Sequence, residues 1–181
     1  MTAIPAEAQA VLDFWLAEGM EPKWYKKDTA FDAEIKSKFE DLYKKAAAGK
    51  LDSWIEKPET ALALCIILDQ FPRNMYRDTP ASFATDLKAE SVCKEALNRK
   101  YDQAVPKRSR LFFYMPLMHS ENLETQKLSL KTFTAADTSV SYAQSHHDIV
   151  EKFGRFPHRN KILGRETTPE EAEFLKSHSG F

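Results

Sequence analysis

Pro58-Glu59-Thr60-Ala61-Leu62-Ala63-Leu64-Cys65-Ile66-Ile67-Leu68-Asp69-Gln70-Phe71-Pro72 decides how the rest of the chain is read. Proline suits the first turn of a helix, where its missing N–H costs nothing. From Ala61 to Leu68 every residue is apolar, with no polar stripe at any period. A helix apolar on all sides is buried on all sides, so this segment is the expected central element. It is too short to cross a bilayer. Pro72 disfavours helical backbone at Phe71 and is expected to end it.

Outward from this element, punctuation divides the chain into about seven helices. Upstream, one runs from about Pro5 to Glu18, with Val11, Leu12 and Trp15 on a stripe and Gly19 after it. In the next, Asp28 is placed to cap, Phe31, Ile35, Phe39, Leu42 and Ala46 recur at helical spacing, and Gly49 stops it. Downstream, Thr79-Pro80 opens a helix to about Arg99, and a shorter one spans Pro106 to Tyr114 before Pro116. His119 or Ser120 precedes a helix to about Ala135, and Ser139 is placed to cap another ending at Gly154. Thr168-Pro169-Glu170-Glu171 is a capping box that opens a last helix to about Ser177. No stretch alternates with period two, so the expected class is all-α: a compact antiparallel array forming a single domain over residues 1–181.

Composition agrees with a folded globular chain. Its 181 residues are 43% hydrophobic and 29% charged, with twelve Phe and only five Gly. A net charge of −1 supplies no global field for nucleic acid or an anionic membrane, so neither is an expected partner. Cys65 and Cys93 form no CxxC, which argues against a disulfide framework. Met1 to Glu7 lacks a basic region followed by an apolar run, so no signal peptide is visible and the expected location is cytoplasmic.

The chemical clue is polar residues where polar residues are costly. Asp69 and Gln70 end the all-apolar helix, at the unfavourable end of its dipole, with Arg73 as a local cation. His146 falls within the stripe Tyr142, Ala143, Ile149, Val150 and Phe153, and Gln126 within Leu123, Leu130 and Phe133. Residues 152–165 then carry five Lys/Arg in fourteen, among aromatics, Gly and Pro. Arginine forks suit carboxylate or phosphate, and loops on rigid scaffolds often carry function. The bland reading of each is a satisfied core residue or an ion pair, with the basic loop neutralising carboxylates such as Glu121 and Glu151. Trp15, Trp24 and Trp54 read as core. One echo joins Phe71-Pro72-Arg73-Asn74 to Phe156-Pro157-His158-Arg159-Asn160, as though one helix-ending solution were used twice.

Several chemistries are excluded by absent motifs: no P-loop, GxGxxG, GxSxG or HExxH is present. His119-Ser120-Glu121 has the H-x-E spacing of zinc deaminases without the companion PCxxC. Nothing in the spacing of His119, Glu121, His146 and His158 specifies a metal.

The segments VLDFWLAEG (11–19), LDQFPRNMYRDTPASFATD (68–86), FFYMPLMHSENLETQ (112–126) and YAQSHHDIVEKFGRFPHRNKILGRETTPEEAEFL (142–175) together resemble the bacterial family called domain of unknown function 924. That resemblance covers nearly the whole chain and implies a tetratricopeptide-like helical fold. It implies no established activity or cofactor. Its motifs fall on Asp69, Gln70, Arg73, Asn74, His119, Ser120, Glu121, Gln126, His146, Arg155, Phe156, Pro157, His158, Arg159, Asn160 and Arg165. The sequence itself shows no repeat of about 34 residues.

Two functions are expected from these residues. In the first, a polar pocket binds a small anionic ligand, with chemistry as an open extension. Arg73, Arg155, Arg159 and Arg165 donate, Asn74 and Asn160 orient, and His146, His158 or His119 with Glu121 act as acid or base. In the second, the helices are a scaffold for a protein partner and the same residues staple the core. The sequence names no cofactor and does not decide whether the chain is an enzyme.

Overall fold

A computed structural model describes residues 3–178 and 180, and within them every regular element is helical. Twelve α-helical segments follow in chain order. They are α1 (Ala6–Trp15), α2 (Glu21–Trp24), α3 (Thr29–Ala47), α4 (Pro58–Cys65), α5 (Phe71–Met75), α6 (Asp86–Asn98), α7 (Tyr101–Ala104), α8 (Leu111–Met118), α9 (Leu123–Ala135), α10 (Val140–Phe153), α11 (Asn160–Leu163) and α12 (Pro169–Leu175). Short 3₁₀ turns and one π turn join them. None of the described helices is long and apolar enough to cross a membrane. The chain divides into two compact units, residues 1–77 with 81–116, and residues 78–80 with 117–181.

In the first unit α4 is the central element that its composition predicts: Thr60 through Leu68 are all buried. Helices α1 and α6 pack on it, and α3 packs on α5. Trp15, Phe31, Phe71 and Phe112 meet in stacked and edge-on pairs, a core of large rings. Asp28 caps α3 as expected, its carboxylate accepting from the amides of Ala30 and Phe31 at 3.0 and 3.1 Å.

Pro72 does not end the central helix, contrary to the rule for the residue before proline. After α4 the backbone widens into a π turn, Ile66–Gln70, and continues as α5 with Pro72 in its first turn. The added residue relieves the clash of the proline ring with the preceding turn. Proline leaves the Leu68 carbonyl without its helical donor, and the Thr85 hydroxyl supplies one at 2.6 Å. The amide of Phe71 reaches back to Ile66, which closes the π turn. Pro116 likewise lies inside α8 instead of stopping it. Burial of Phe112, Phe113, Tyr114, Leu117 and Met118 holds that segment helical despite one lost hydrogen bond. The helix expected from Thr79-Pro80 opens with a 3₁₀ turn, Pro80–Phe83, and α6 begins only at Asp86.

In the second unit α9 and α10 form a helical hairpin. Asn122, not His119 or Ser120, caps α9 by accepting from the Thr125 amide at 3.0 Å. Ser139 precedes α10 in left-handed backbone (φ 46°) and makes no capping bond. The capping box of α12 is formed as read: Thr168 Oγ1 accepts from the Glu171 amide, and Glu171 accepts from the Thr168 amide at 2.8 Å. Ile149, Val150 and Phe156 make the apolar centre, with Leu123, Phe153 and Phe174 packed against it.

Candidate functional site

The loop between α10 and α12 is where polar residues gather. Gly154 ends α10 with φ 69°, and the chain turns so that Phe156 is fully buried. Pro157 opens a 3₁₀ turn, Pro157–Arg159, which runs into α11. The echo of Phe-Pro-Arg-Asn therefore begins a helical turn in both copies, where the sequence suggests an ending.

Two carboxylates pin this loop. Glu121, just before α9, accepts from the Phe156 amide at 2.7 Å and from both Nη atoms of Arg165 at 2.7 and 2.9 Å. Arg165 also donates Nε–H to Asn160 Oδ1 and Nη2–H to the Phe156 carbonyl, both at 3.0 Å. Glu171 accepts from Arg155 Nε at 2.7 Å and Nη2 at 2.9 Å, and from Asn160 Nδ2 at 3.1 Å. Such forked, charge-assisted pairs fix geometry as well as energy. Partial burial raises the Glu121 carboxyl, but the Arg165 fork and the Phe156 amide outweigh it and hold the group below its ordinary range. The Arg155 fork, together with the Thr168 amide, pulls Glu171 down to about 2.

Within this frame the imidazoles of His146 and His158 and the guanidinium of Arg159 lie against Phe156, and His119 lies beside His146. The His146 ring meets Phe156 edge-on at 5.5 Å, and the His119 ring lies 6.3 Å from that of His146. The His158 ring is 5.7 Å from that of Phe156. Arg159 stacks its guanidinium over Phe156 at 4.7 Å and donates Nη2–H to the His119 carbonyl at 2.9 Å. Gln126 donates to the carbonyls on either side, Met118 at 2.7 Å and Ser120 at 2.6 Å. Three successive carbonyls, those of Met118, His119 and Ser120, thus have side-chain donors.

Burial pushes the His146 ring down to about 3, aided by His119 nearby. Burial and Arg159 push His158 down to about 4. Both rings are neutral at pH 7. His146 Nδ1 lies 2.7 Å from the Tyr142 carbonyl, which can only accept, so Nδ1 carries the proton and Nε2 the lone pair.

Asp69, Gln70, Arg73 and Asn74 lie in the first unit. Asp69, 1% exposed, accepts from Gln70 Nε2 at 2.6 Å and stands 3.4 Å from Arg73. Arg73 forks onto Asp86 at 2.9 and 3.0 Å and donates to the Asp69 carbonyl at 2.7 Å. Asn74 and Arg77 both hold Asp32. Asp32, Asp86 and Glu171 complete these pairs without any signal in the local sequence, except that Glu171 announces itself as a capping residue.

Among the described residues, the one set of three metal-type side chains with ligand atoms within 4.8 Å of one another is His147, Asp148 and Glu151. His119, Glu121, His146 and His158 do not meet that distance, and Glu121 is engaged by Arg165.

Comparison with known proteins gives a family and no activity. A family model described as a bacterial protein of unknown function, DUF924, matches residues 11–179. A solved structure of a protein of unknown function from Agrobacterium tumefaciens is similar at 44% identity, covering 96% of this chain and 98% of its own, with a TM-score of 0.91. No curated protein matches.

Proposed function

Because this chain belongs to the DUF924 family of bacterial proteins of unknown function, its role must be argued from its own geometry, and we propose that it binds a small anionic ligand at His119, His146, His158 and Arg159. The observation that carries the reading is the gathering of two imidazoles and a guanidinium against one buried ring, Phe156, with a third imidazole, His119, beside His146. The neutral imidazoles of His146 and His158 offer donors and acceptors without adding charge, and the guanidinium supplies the charge that an anion needs. Arg155, Arg165, Asn160, Glu121 and Gln126 act as the frame, since their polar atoms engage one another and the backbone. A base at about 3 takes a proton poorly near neutrality, so His146 favours binding over general-base catalysis. The two free, buried cysteines fit a reducing compartment, and the cytoplasm is the proposed location.

A second reading is favoured by how fully Arg73, Arg155 and Arg165 engage carboxylates. Here the polar set only staples the packing, and the chain is a scaffold for a protein partner. The α9–α10 hairpin, the kind of unit that a tetratricopeptide-like array repeats, carries a shallow groove lined by Leu130, Thr134, Ala135 and His147 together with Lys127 and Lys131.

Thermal melts of the parent and Arg159→Gln, with inorganic phosphate, acetate and succinate, separate the two. A ligand at about 100 times its dissociation constant adds about 2.7 kcal/mol, or about 5–10 °C for a chain of this length. A shift in the parent that a still-folded Arg159→Gln loses supports the site. No shift, with a variant melting far below the parent, supports the scaffold.

A further inference from the structure

Gln126 and Ser129 lie three residues apart on α9, and both are fully buried. Side chains at that spacing are neighbours on one helix face. The Gln126 amide is fixed by its nitrogen, which donates to the Met118 carbonyl at 2.7 Å and to the Ser120 carbonyl at 2.6 Å. Carbonyls only accept, so the nitrogen and oxygen of this amide cannot trade places. Its oxygen, Oε1, is buried with no hydrogen-bond partner among the described residues, and the same is true of Ser129 Oγ. A hydroxyl inside a helix can turn back to the carbonyl one turn earlier, as Thr132 does onto Leu128 at 2.8 Å and Ser145 onto Ser141 at 3.0 Å. Ser129 does not. Protein interiors seldom leave such atoms unpaired, because the hydrogen bonds they give up to water are then not replaced. Two of them one turn apart point to a donor that is not part of the chain.

These atoms adjoin the proposed anion site. The carbonyl between the two that Gln126 holds is that of His119, and Arg159 Nη2 donates to it at 2.9 Å. The Gln126 amide and the Arg159 guanidinium therefore grip one three-residue stretch of backbone. A guanidinium has only donors and suits the charged oxygens of an anion. Gln126 Oε1 has only lone pairs, which an anion without a proton would meet with lone pairs of its own.

We propose that Gln126 Oε1 and Ser129 Oγ are an acceptor subsite of the anion site, so that the ligand is a small oxyanion carrying an O–H of its own, as hydrogen phosphate or a hydroxy acid does. This rests on the proposed anion site and names the chemical class that the site takes. Gln126 holds the frame with its nitrogen and reads the ligand with its oxygen. Hydrogen phosphate and sulfate share shape and charge, but only the phosphate has a proton to donate. Glycolate differs from acetate in the same respect. A buried acceptor that must go unpaired disfavours the ligand lacking the donor.

The test is isothermal titration calorimetry of the full chain with phosphate, sulfate, glycolate and acetate at pH 7 and constant ionic strength, on the parent and on Ser129→Ala. In the parent, phosphate binds about tenfold tighter than sulfate, and glycolate about tenfold tighter than acetate. Ser129→Ala, which removes one acceptor and little volume, narrows both ratios to about threefold, with its fold checked by circular dichroism. Equal affinities within each pair in the parent would overturn the acceptor subsite and leave the anion site standing. Ratios that a folded Ser129→Ala keeps in full would overturn it too. No binding by any of the four ions would overturn the anion site and the subsite together.

Discussion

Replacing Glu171 by Gln tests the electrostatic frame of the second unit with little change of shape. The amide keeps one oxygen to accept from the Thr168 amide and fills the same volume. It loses the charge that Arg155 grips at 2.7 and 2.9 Å. The carboxyl falls from an ordinary 4.5 to about 2, which sets a ceiling of about 3 kcal/mol on the stabilisation. Arg155 is 29% exposed and Glu171 3%, so solvent screens one partner and about 2 kcal/mol is expected. The sign follows from the depressed value. The contribution is complete above pH 4.5 and fades as the pH falls towards 2, with more than half gone by about pH 3. Urea unfolding should be followed by far-UV circular dichroism, because Trp15, Trp24 and Trp54 all lie in the first unit and their fluorescence reports on that unit. The variant should be less stable than the parent by about 2 kcal/mol at pH 7 and nearly equal to it at the acid end. An equal gap at both pH values would refute the ionic reading of the Arg155–Glu171 pair.

Three further outcomes follow from the same reasoning. Asp69→Ala leaves Gln70 and Arg73 facing a void and should cost about 3 kcal/mol in urea melts, while Asp69→Asn, which keeps an acceptor for Gln70, should cost about 1 kcal/mol. Gly154→Ala meets no atom within 4 Å, so its cost is conformational alone, about 1–2 kcal/mol, and Gly154→Asn should recover part of it in thermal melts. His146 holds its midpoint at about 3 against an ordinary 6.5, so the stability it contributes is complete above pH 6.5 and lost as the pH falls towards 3. His146→Gln should therefore flatten the acid limb of the stability profile, as denaturant midpoints at several pH values would record.

What could be read from the sequence was what local chemistry decides. Asp28 and the Thr168–Glu171 box act within one turn, and the apolar run from Ala61 to Leu68 has only one stable setting. His146 and Gln126 sit on apolar stripes and are indeed inward. Pro72 was misleading because its effect is local and its remedy is not: the Thr85 hydroxyl that satisfies Leu68 comes from another segment. The arginines posed the same difficulty. Composition marks residues 152–165 as basic, but only the folded loop brings Arg165 onto Glu121 and Arg155 onto Glu171. Those pairs move both arginines from candidate ligand donors to the proposed frame, and leave the imidazoles and Arg159 at its centre.

The proposed small-anion site rests on His119, His146, His158 and Arg159. Its most direct test is a titration of the ¹⁵N-labelled parent and Arg159→Gln with inorganic phosphate and succinate at constant pH and ionic strength, following the histidine ring resonances. Saturable shifts are expected at His119, His146 and His158 in the parent, with His147 still, and no saturation in a folded Arg159→Gln. Identical responses in the two proteins, or saturable shifts confined to His147, would contradict it.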